Sequence, residues 1–526
     1  MAELVDQEGS VRARSVTGSR SPRLRRRAVR RVVAGLTVLG SVAVVAVACA
    51  CATPPDLVAL ADPGGPVTVA APDVIGPMRV RGGDLIDGAG RTVLMHGVNS
   101  VAKWEPWVTP VDAPDGFGRD TLGPDDLAAL DRDGYNAVRL GVWPAALMPA
   151  PGQVDQEYLD RVAVTVDALS EHGIWVLLDL HQDVFHGMPE WATTPAAAAL
   201  SAEADPGLAA AIGWSAAYFS PRSLKQWDDW WANAEVAPGL GVVDAYAQGA
   251  AALADRFDSD PAVIGLELIN EPFPGSPALQ CLIGDCPDLD ATVGARNAQI
   301  SAAIRASAPE MPLWWEQETL FPNFTDATPP QPDVPPTADG RQVVSSFHIY
   351  CLGTDSGKPE LPDPTSQAYC DAQISQGVNR GLIVGRSWGA PAVMTEFGAS
   401  NSPLNSTLTT RMADEQLFSW FHWHHGTYPS VVESQLVRTY AQATAGTPLE
   451  QRFEPSTGSF TFRYRPDPSV EAPTSIVVPQ RVYPDGYRVE VSGGTVTSAP
   501  NSGRLTVLAD GIGEVTVRVT RSADGV

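Results

Sequence analysis

Eight short apolar runs alternate with helical patterns along the middle of this chain, and that alternation limits the fold more than any other feature. The runs cover residues 92–99, 137–143, 174–181, 263–270, 313–318, 343–350, 392–397 and 417–423. Each has strand length and is apolar on both faces, as strands of a parallel sheet covered by helices are. Between them, residues 125–133, 157–172 and 243–258 place Leu, Ala or Val at i, i+3, i+4 spacing. Strand then helix, repeated eight times, predicts an α/β fold, a (β/α)8 TIM barrel over residues 75–450. The rival is a doubly wound open sheet, but the phosphate-cradling G-x-G-x-x-G after a first strand is absent.

From about Phe453 the pattern changes. Short runs near 459–465, 475–478, 488–491, 494–497, 504–508 and 514–520 alternate apolar and polar residues between Gly, Pro and Asn-Ser-Gly turns. Residues 451–526 therefore read as a C-terminal antiparallel β-sandwich. Residues 51–74, rich in Pro, Ala, Gly and Asp, read as a linker, and 78–87 as a hairpin around Gly82-Gly83. A length of 526 residues suits a barrel with one accessory domain. With 44% apolar and 18% charged residues, most of the chain is expected to fold.

Residues 1–50 point to export. A basic cluster at Arg23–Arg31 precedes an uncharged run at 32–48 and the small-residue sites Ala48-Cys49-Ala50 and Ala50-Cys51-Ala52. That order is a secretory signal peptide. An uncleaved membrane anchor and a lipidated Cys49 or Cys51 remain as alternatives. These residues hold nine of the 36 basic residues and three of the 61 acids, so without them the formal charge of −25 becomes −31. So acidic a surface, with no basic stripe, repels phosphate backbones and excludes nucleic acid as a partner. Four cysteines follow, Cys281, Cys286, Cys351 and Cys370. Outside the cell an even number favours disulfides. Of three connectivities, local pairing, each bridge clipping one loop, is preferred over a metal site, which would want C-x-x-C spacing.

The chemistry is carried by two strand ends. ELINEP (267–272) and VMTEFG (393–398) each deliver a carboxylate at the C-terminal end of an apolar run, where a parallel barrel does its chemistry. Two glutamates there suffice to cleave a glycosidic bond: one protonates the leaving oxygen, the other attacks the anomeric carbon. Glu271 is expected as acid/base and Glu396 as nucleophile. Asn270 would bond the sugar 2-hydroxyl. Arg139, counted among the substrate-binding residues, would keep a neighbouring glutamate ionised, or pair with a structural acid. His181 and His348 would bond a sugar hydroxyl or orient a glutamate, and Tyr350 would steady Glu396. Trp420 and Trp423 are candidates for a sugar-stacking platform. Lys103 is one of only three lysines and sits just past the first strand, which suggests a polar sugar contact. His422, His424 and His425 invite a metal reading, but neighbours in one strand cannot all point the same way.

A long connection, about Asp183 to Leu240, follows the third strand and carries eight large aromatics. Connections of this length in a compact domain are functional or disordered, and so many tryptophans argue against disorder. An apolar lid beside the site and a helical decoration burying its own aromatics are the two readings.

HGVNSVAK (96–103), LDLHQDVF (178–185), ELINEP, FHIY (347–350), TEFG (395–398) and LVRTYAQATAGTP (436–448) together resemble the endoglycoceramidases of glycoside hydrolase family five, over residues 75–526. The resemblance implies hydrolysis of the bond between a glycan and ceramide, with Lys103, His181, Asp183, Asn270, Tyr350 and Trp423 as sugar contacts. It also implies Trp231 as a substrate-binding residue. Enzymes for monoglycosylceramides, sterol glucosides or β-glucans are the alternative within that clan, and a glycan-binding barrel without chemistry is a third reading. No metal or cofactor is expected. A secreted monomer, in transient contact with a membrane or micelle surface, is expected.

Overall fold

The computed structural model describes residues 57–60, 64–68, 76–112, 121–284, 286–325, 329–334, 336–351, 364–400, 402–426 and 430–522. The segment expected as a signal peptide, and most of the 51–74 linker, lie outside the described residues.

Eight parallel strands close into a barrel in sequence order: β1 (His96–Ser100), β2 (Ala137–Val142), β3 (Trp175–Leu180), β4 (Val263–Glu267), β5 (Leu313–Glu316), β6 (Val343–Ile349), β7 (Ala392–Gly398) and β8 (Trp420–Trp423). Closure is made by β8 against β1, with Trp420 opposite His96. Apart from Ala392 and Trp423, every residue of these strands is buried. Burial on both faces is why they read as unbroken apolar runs rather than alternating ones. One position shows how tightly the floor is packed. Gly265 has φ +148°, and a Cβ there would stand 2.3 Å from Trp314 Nε1, so only glycine fits.

The expected helices form at Pro124–Asp133, Gln156–Glu171 and Val242–Phe257. The second starts where the Asp155 side chain accepts the Tyr158 N–H, and it buries Tyr158, Leu159, Val162, Val166 and Leu169 on one face. Tyr158 then joins two loops, its hydroxyl donating to the Trp107 carbonyl and accepting from the Trp143 N–H.

The connection after β3 is a chain of short helices, including Pro206–Ile212, the 3-10 turn Gly213–Phe219 and Pro221–Ala232. Both readings of it hold, each for different residues. Trp227 and Trp230 are buried and pack edge-on to each other, to Phe185 and to Tyr246, as a self-burying decoration would. Trp214, by contrast, is 58% exposed, and Tyr218 points at the barrel mouth.

The C-terminal strands are β9 (Tyr440–Thr444), β10 (Gly446–Glu454), β11 (Ser459–Pro466), β12 (Thr474–Val477), β13 (Tyr487–Ser492), β14 (Gly494–Val496), β15 (Arg504–Ala509) and β16 (Val515–Arg521). One sheet orders Val58–Ala59, β13, β16, β11 and β10. The other orders Arg79–Arg81, Asp84–Ile86, Thr92–Val93, β9, β12, β15 and β14. Their inner faces form one core, with Phe460, Phe462, Val489, Val517, Ile476 and Leu505 among its residues.

Two boundaries differ from the sequence reading. The run at 92–99 is split, because Thr92–Val93 pairs antiparallel with β9 and the Leu94 N–H bonds to the Gln442 carbonyl. The Met95 N–H goes to Ser419 Oγ, and barrel pairing begins only at His96. Likewise the antiparallel sheets begin at Tyr440 rather than 451 and take in the hairpin that precedes the barrel. Main-chain pairing, not composition, decides both edges. The run at 417–423 starts late for another reason: Leu417 ends the preceding helix in a left-handed conformation. Both expected disulfides are formed, Cys281–Cys286 and Cys351–Cys370.

Candidate active site

The mouth of the barrel gathers buried carboxylates around one cation. Arg139, from β2, is fully buried. Its guanidinium lies 2.5 Å from Glu267, 2.6 Å from Glu396 and 3.1 Å from Asp179. It also donates to Asn99 Oδ1 at 2.9 Å and Asn270 Oδ1 at 2.7 Å. A permanently charged, planar fork is the group that can satisfy so many acceptors at once. Of the two sequence readings of Arg139, the pairing with structural acids is the one seen, in Asp179 and Glu267. The burial of Arg139 corrects its placement among the substrate-binding residues: it touches no solvent, and its partners are acids and side-chain amides.

Glu396, on β7, receives a second donor, the Tyr350 hydroxyl at 2.6 Å. Two donors leave its carboxylate fixed in direction and compensated in charge, as a nucleophile needs. Glu271 sits just beyond β4 with φ +42°, an unusual backbone for a glutamate. The site holds it there. Gln182 Nε2 donates to the carbonyls of Asn270 and Glu271, and the Glu271 N–H bonds to Glu316 Oε2 at 2.7 Å. Its carboxyl meets His348 Nδ1 at 2.9 Å and the Tyr218 hydroxyl at 3.1 Å.

Burial, and after it the nearby Asp183 carboxylate, raise Glu271 above its ordinary carboxylate value, the direction that favours a proton donor. Burial raises Glu316 and Glu267 as well. His348 is drawn down to about 4 by burial, despite Glu396 beside it, and is a neutral imidazole at pH 7. One carboxylate oxygen of Glu271, one of Glu396 and a ring nitrogen of His348 all lie within 4.8 Å of one another. Retaining glycosidases place their carboxyls about 5–5.5 Å apart, whereas inverting ones leave about 6.5–9.5 Å for a water. The spacing fits retention.

This trio, and Glu267 with Glu316 and His348, could in principle hold a metal ion. Their oxygens already have partners: Arg139 and Ser346 on Glu267, Tyr218 on Glu271, and Arg139 with Tyr350 on Glu396. The histidines in and just after β8 diverge as expected. His424 accepts from the Val101 N–H, His425 faces Asp126, and His422 packs edge-on to Phe397.

Beside the glutamates lies a half-open polar ledge. Lys103 Nζ bonds Asp183 Oδ2 at 2.6 Å and stands 4.8 Å above the Trp423 ring. His181 stacks on Trp423 at 5.5 Å, with Nδ1 against Asp179 and Nε2 3.7 Å from Asp183. Burial disfavours its charge, but the Asp179 and Asp183 carboxylates outweigh that and raise it to about 9. Burial works against Asp183 too, yet His181 and Lys103 hold it below the usual carboxylate range. Asn270 uses its oxygen on Arg139 and one amide proton on the Gln182 carbonyl, which leaves a second proton for a ligand. Trp420 is fully buried against His96, so the stacking surface is Trp423 alone of the two.

Most predicted site residues thus converge: Glu271, Glu396, Arg139, His181, Asp183, Lys103, Asn270, His348, Tyr350 and Trp423. Trp231 stands apart. It is buried in the insertion, stacked on Trp227, and its indole N–H donates to the Phe273 carbonyl, where it supports the segment after Glu271. Sequence reasoning missed Asp179, Glu267, Glu316, Gln182 and Tyr218. The first two lie on strands already singled out, at inward-facing positions ahead of His181 and Glu271.

The family model "Cellulase (glycosyl hydrolase family 5)" matches residues 107–428, and that of the family's C-terminal domain matches 438–519. Endoglycoceramidase I of Rhodococcus hoagii (strain 103S) is 38% identical over 457 residues, covering 84% of this chain and 88% of the relative. An endoglycoceramidase of Hydra vulgaris is 27% identical over 460 residues, 78% of this chain and 81% of its own. Among solved structures, Endo-glycoceramidase II from Rhodococcus sp. in its ganglioside GM3 complex superposes with a TM-score of 0.69 at 27% identity, over 84% of this chain and 99% of that one. An enzyme with this barrel, these paired carboxyls and these relatives is a glycoside hydrolase, and the chain belongs to glycosyl hydrolase family 5, among the endoglycoceramidases.

Proposed function

We propose that the protein is an exported, retaining hydrolase that cuts glycosphingolipids between the glycan and ceramide. The observation that carries this reading is the Glu271–Glu396 pair, flanked by a polar ledge on one side and an aromatic, alanine-rich insertion on the other. In the first step Glu396 attacks the anomeric carbon while Glu271 gives its proton to the glycosidic oxygen, and ceramide departs. In the second, Glu271 takes a proton from water, whose oxygen displaces Glu396 and frees the glycan. Lys103, Asp183 and Trp423 hold the sugar, and the spare amide proton of Asn270 reaches its 2-hydroxyl. Arg139 and Tyr350, each donating to one oxygen of Glu396, keep its carboxylate aimed.

The insertion suits an apolar aglycone. Trp214 and Leu200 are 58% and 38% exposed on it, which favours contact with a lipid surface while substrate is drawn in. Relatives named for ceramide release, and the ganglioside GM3 complex of one of them, support the same substrate class. The basic, apolar and small-residue order of the first 52 residues, together with two disulfides, supports export.

The test is incubation of purified enzyme with a ganglioside, glucosylceramide and a soluble β-glucan, with products scored by mass spectrometry. Intact oligosaccharide plus ceramide is expected. Glucose from glucosylceramide alone would move the protein to monoglycosylated lipids, and cleavage of the glucan alone would refute the lipid reading.

A further inference from the structure

Tyr218 belongs to the insertion, in the 3-10 turn Gly213–Phe219, far in sequence from the strand end that carries Glu271. Its side chain is buried, its ring packs 4.9 Å from Phe273, and its hydroxyl donates to Glu271 Oε2 at 3.1 Å. His348 meets the other oxygen, Oε1. Both oxygens of the acid/base are thus engaged, one by the barrel and one by the insertion.

We propose that Tyr218 is a positioning residue for Glu271, stabilising the carboxylate that forms when Glu271 gives up its proton and making correct seating of the insertion a condition for base catalysis. This deepens the proposed function and rests on Glu271 being its acid/base. The chemistry follows from what a buried phenol can do. Burial and the carboxylates of Glu271 and Asp183 keep Tyr218 protonated, so towards the Glu271 carboxylate it acts as the donor. A donor favours the charged form of its acceptor. Glu271 must be an acid in the first step and a carboxylate in the second, while burial and Asp183 both favour its protonated form. The Tyr218 hydroxyl offsets part of that. His181, Asp183, Arg139, Glu316, His348 and Glu396 also face Glu271, and all remain when the hydroxyl is removed.

Tyr218→Phe keeps the ring and its packing and deletes only the donor. With the hydroxyl gone, Glu271 is a weaker acid, and the alkaline limb of kcat/KM should move up by about one pH unit. The second step should slow about tenfold, so an activated aryl glycoside would show a burst followed by a lowered steady rate. The experiment compares pH profiles and burst kinetics of wild type, Tyr218→Phe and Glu271→Gln on that aryl glycoside. Glu271→Gln should lose the alkaline limb altogether. If it keeps the limb, the acid/base assignment beneath the inference is overturned. If it loses the limb while Tyr218→Phe titrates with wild type and shows no burst, the Tyr218 role alone is overturned. Partial misfolding of Tyr218→Phe would lower amplitude without moving the limb, and so counts against the role as well.

Discussion

Replacing Arg139 by Met tests how the nucleophile is held. The substitution keeps an unbranched chain of similar reach and removes the cation. Three carboxylates, Asp179, Glu267 and Glu396, then share a space in which their side chains are 0–4% exposed, with no compensating charge from Arg139. Breaking a buried pair by removing one partner costs about 3–5 kcal/mol, and here one residue serves several acceptors. Spread over the unfolding entropy of a domain this large, that corresponds to roughly 3–5 °C in melting temperature at pH 7. The pH dependence carries the sign. In the wild type, burial works against the Asp179 charge but Arg139 outweighs it, so Asp179 lies low and stabilises the fold above the carboxylate range. In the variant the buried acids are raised above their unfolded values, a penalty present at neutral pH that fades as pH falls towards about 4. The melting gap should therefore narrow from pH 7 to pH 4.5. Turnover should fall at least about a thousandfold, since Glu396 loses the donor that fixes one of its oxygens. Calorimetry across pH, with rates on an aryl glycoside, measures both. A gap that stays constant or widens on acidification would refute the reasoning, because the loss would then come from packing rather than charge.

Two further outcomes follow from single contacts. Trp423→Ala removes the stacking surface under the sugar beside Lys103 and should raise KM about tenfold with a smaller effect on kcat, read from steady-state kinetics. Glu318 is buried just beyond β5 and raised to about 7 by burial, although Leu320 N–H and Thr325 Oγ1 donate to it. An acid raised in the folded state loses stability as pH climbs from its unfolded value to its folded one. Glu318→Gln should therefore match wild type in melting temperature near pH 4.5 and exceed it above pH 7.

The parts of the site legible in the sequence are those that strand periodicity places. Glu271, Glu396, His181 and His348 each end an apolar run, and a closed parallel barrel brings such ends together without further information. The parts that escaped depend on contacts between distant segments. Whether Arg139 faces substrate or acids turns on the burial of Asp179 and Glu267, which no local pattern reports. The Tyr218 contact arises from the path of an insertion with no period of its own. The resemblance alone implies Trp231 at the substrate site, but its indole proton answers a main-chain carbonyl at Phe273. The same holds for the domain edge: Thr92–Val93 is as apolar as the strand it precedes, and only pairing with β9 removes it from the barrel.

The central claim is that Glu396 forms a covalent bond to the glycan while Glu271 serves as acid/base. A 2-deoxy-2-fluoro glycoside with an activated leaving group measures this directly. The fluorine slows both steps by opposing positive charge at the anomeric carbon, and the good leaving group restores only the first, so the intermediate accumulates. Peptide mapping by mass spectrometry should find the fluorosugar on Glu396, with no label in Glu396→Gln. Label on any other carboxylate, or turnover with inversion and no trapped enzyme, would contradict the account.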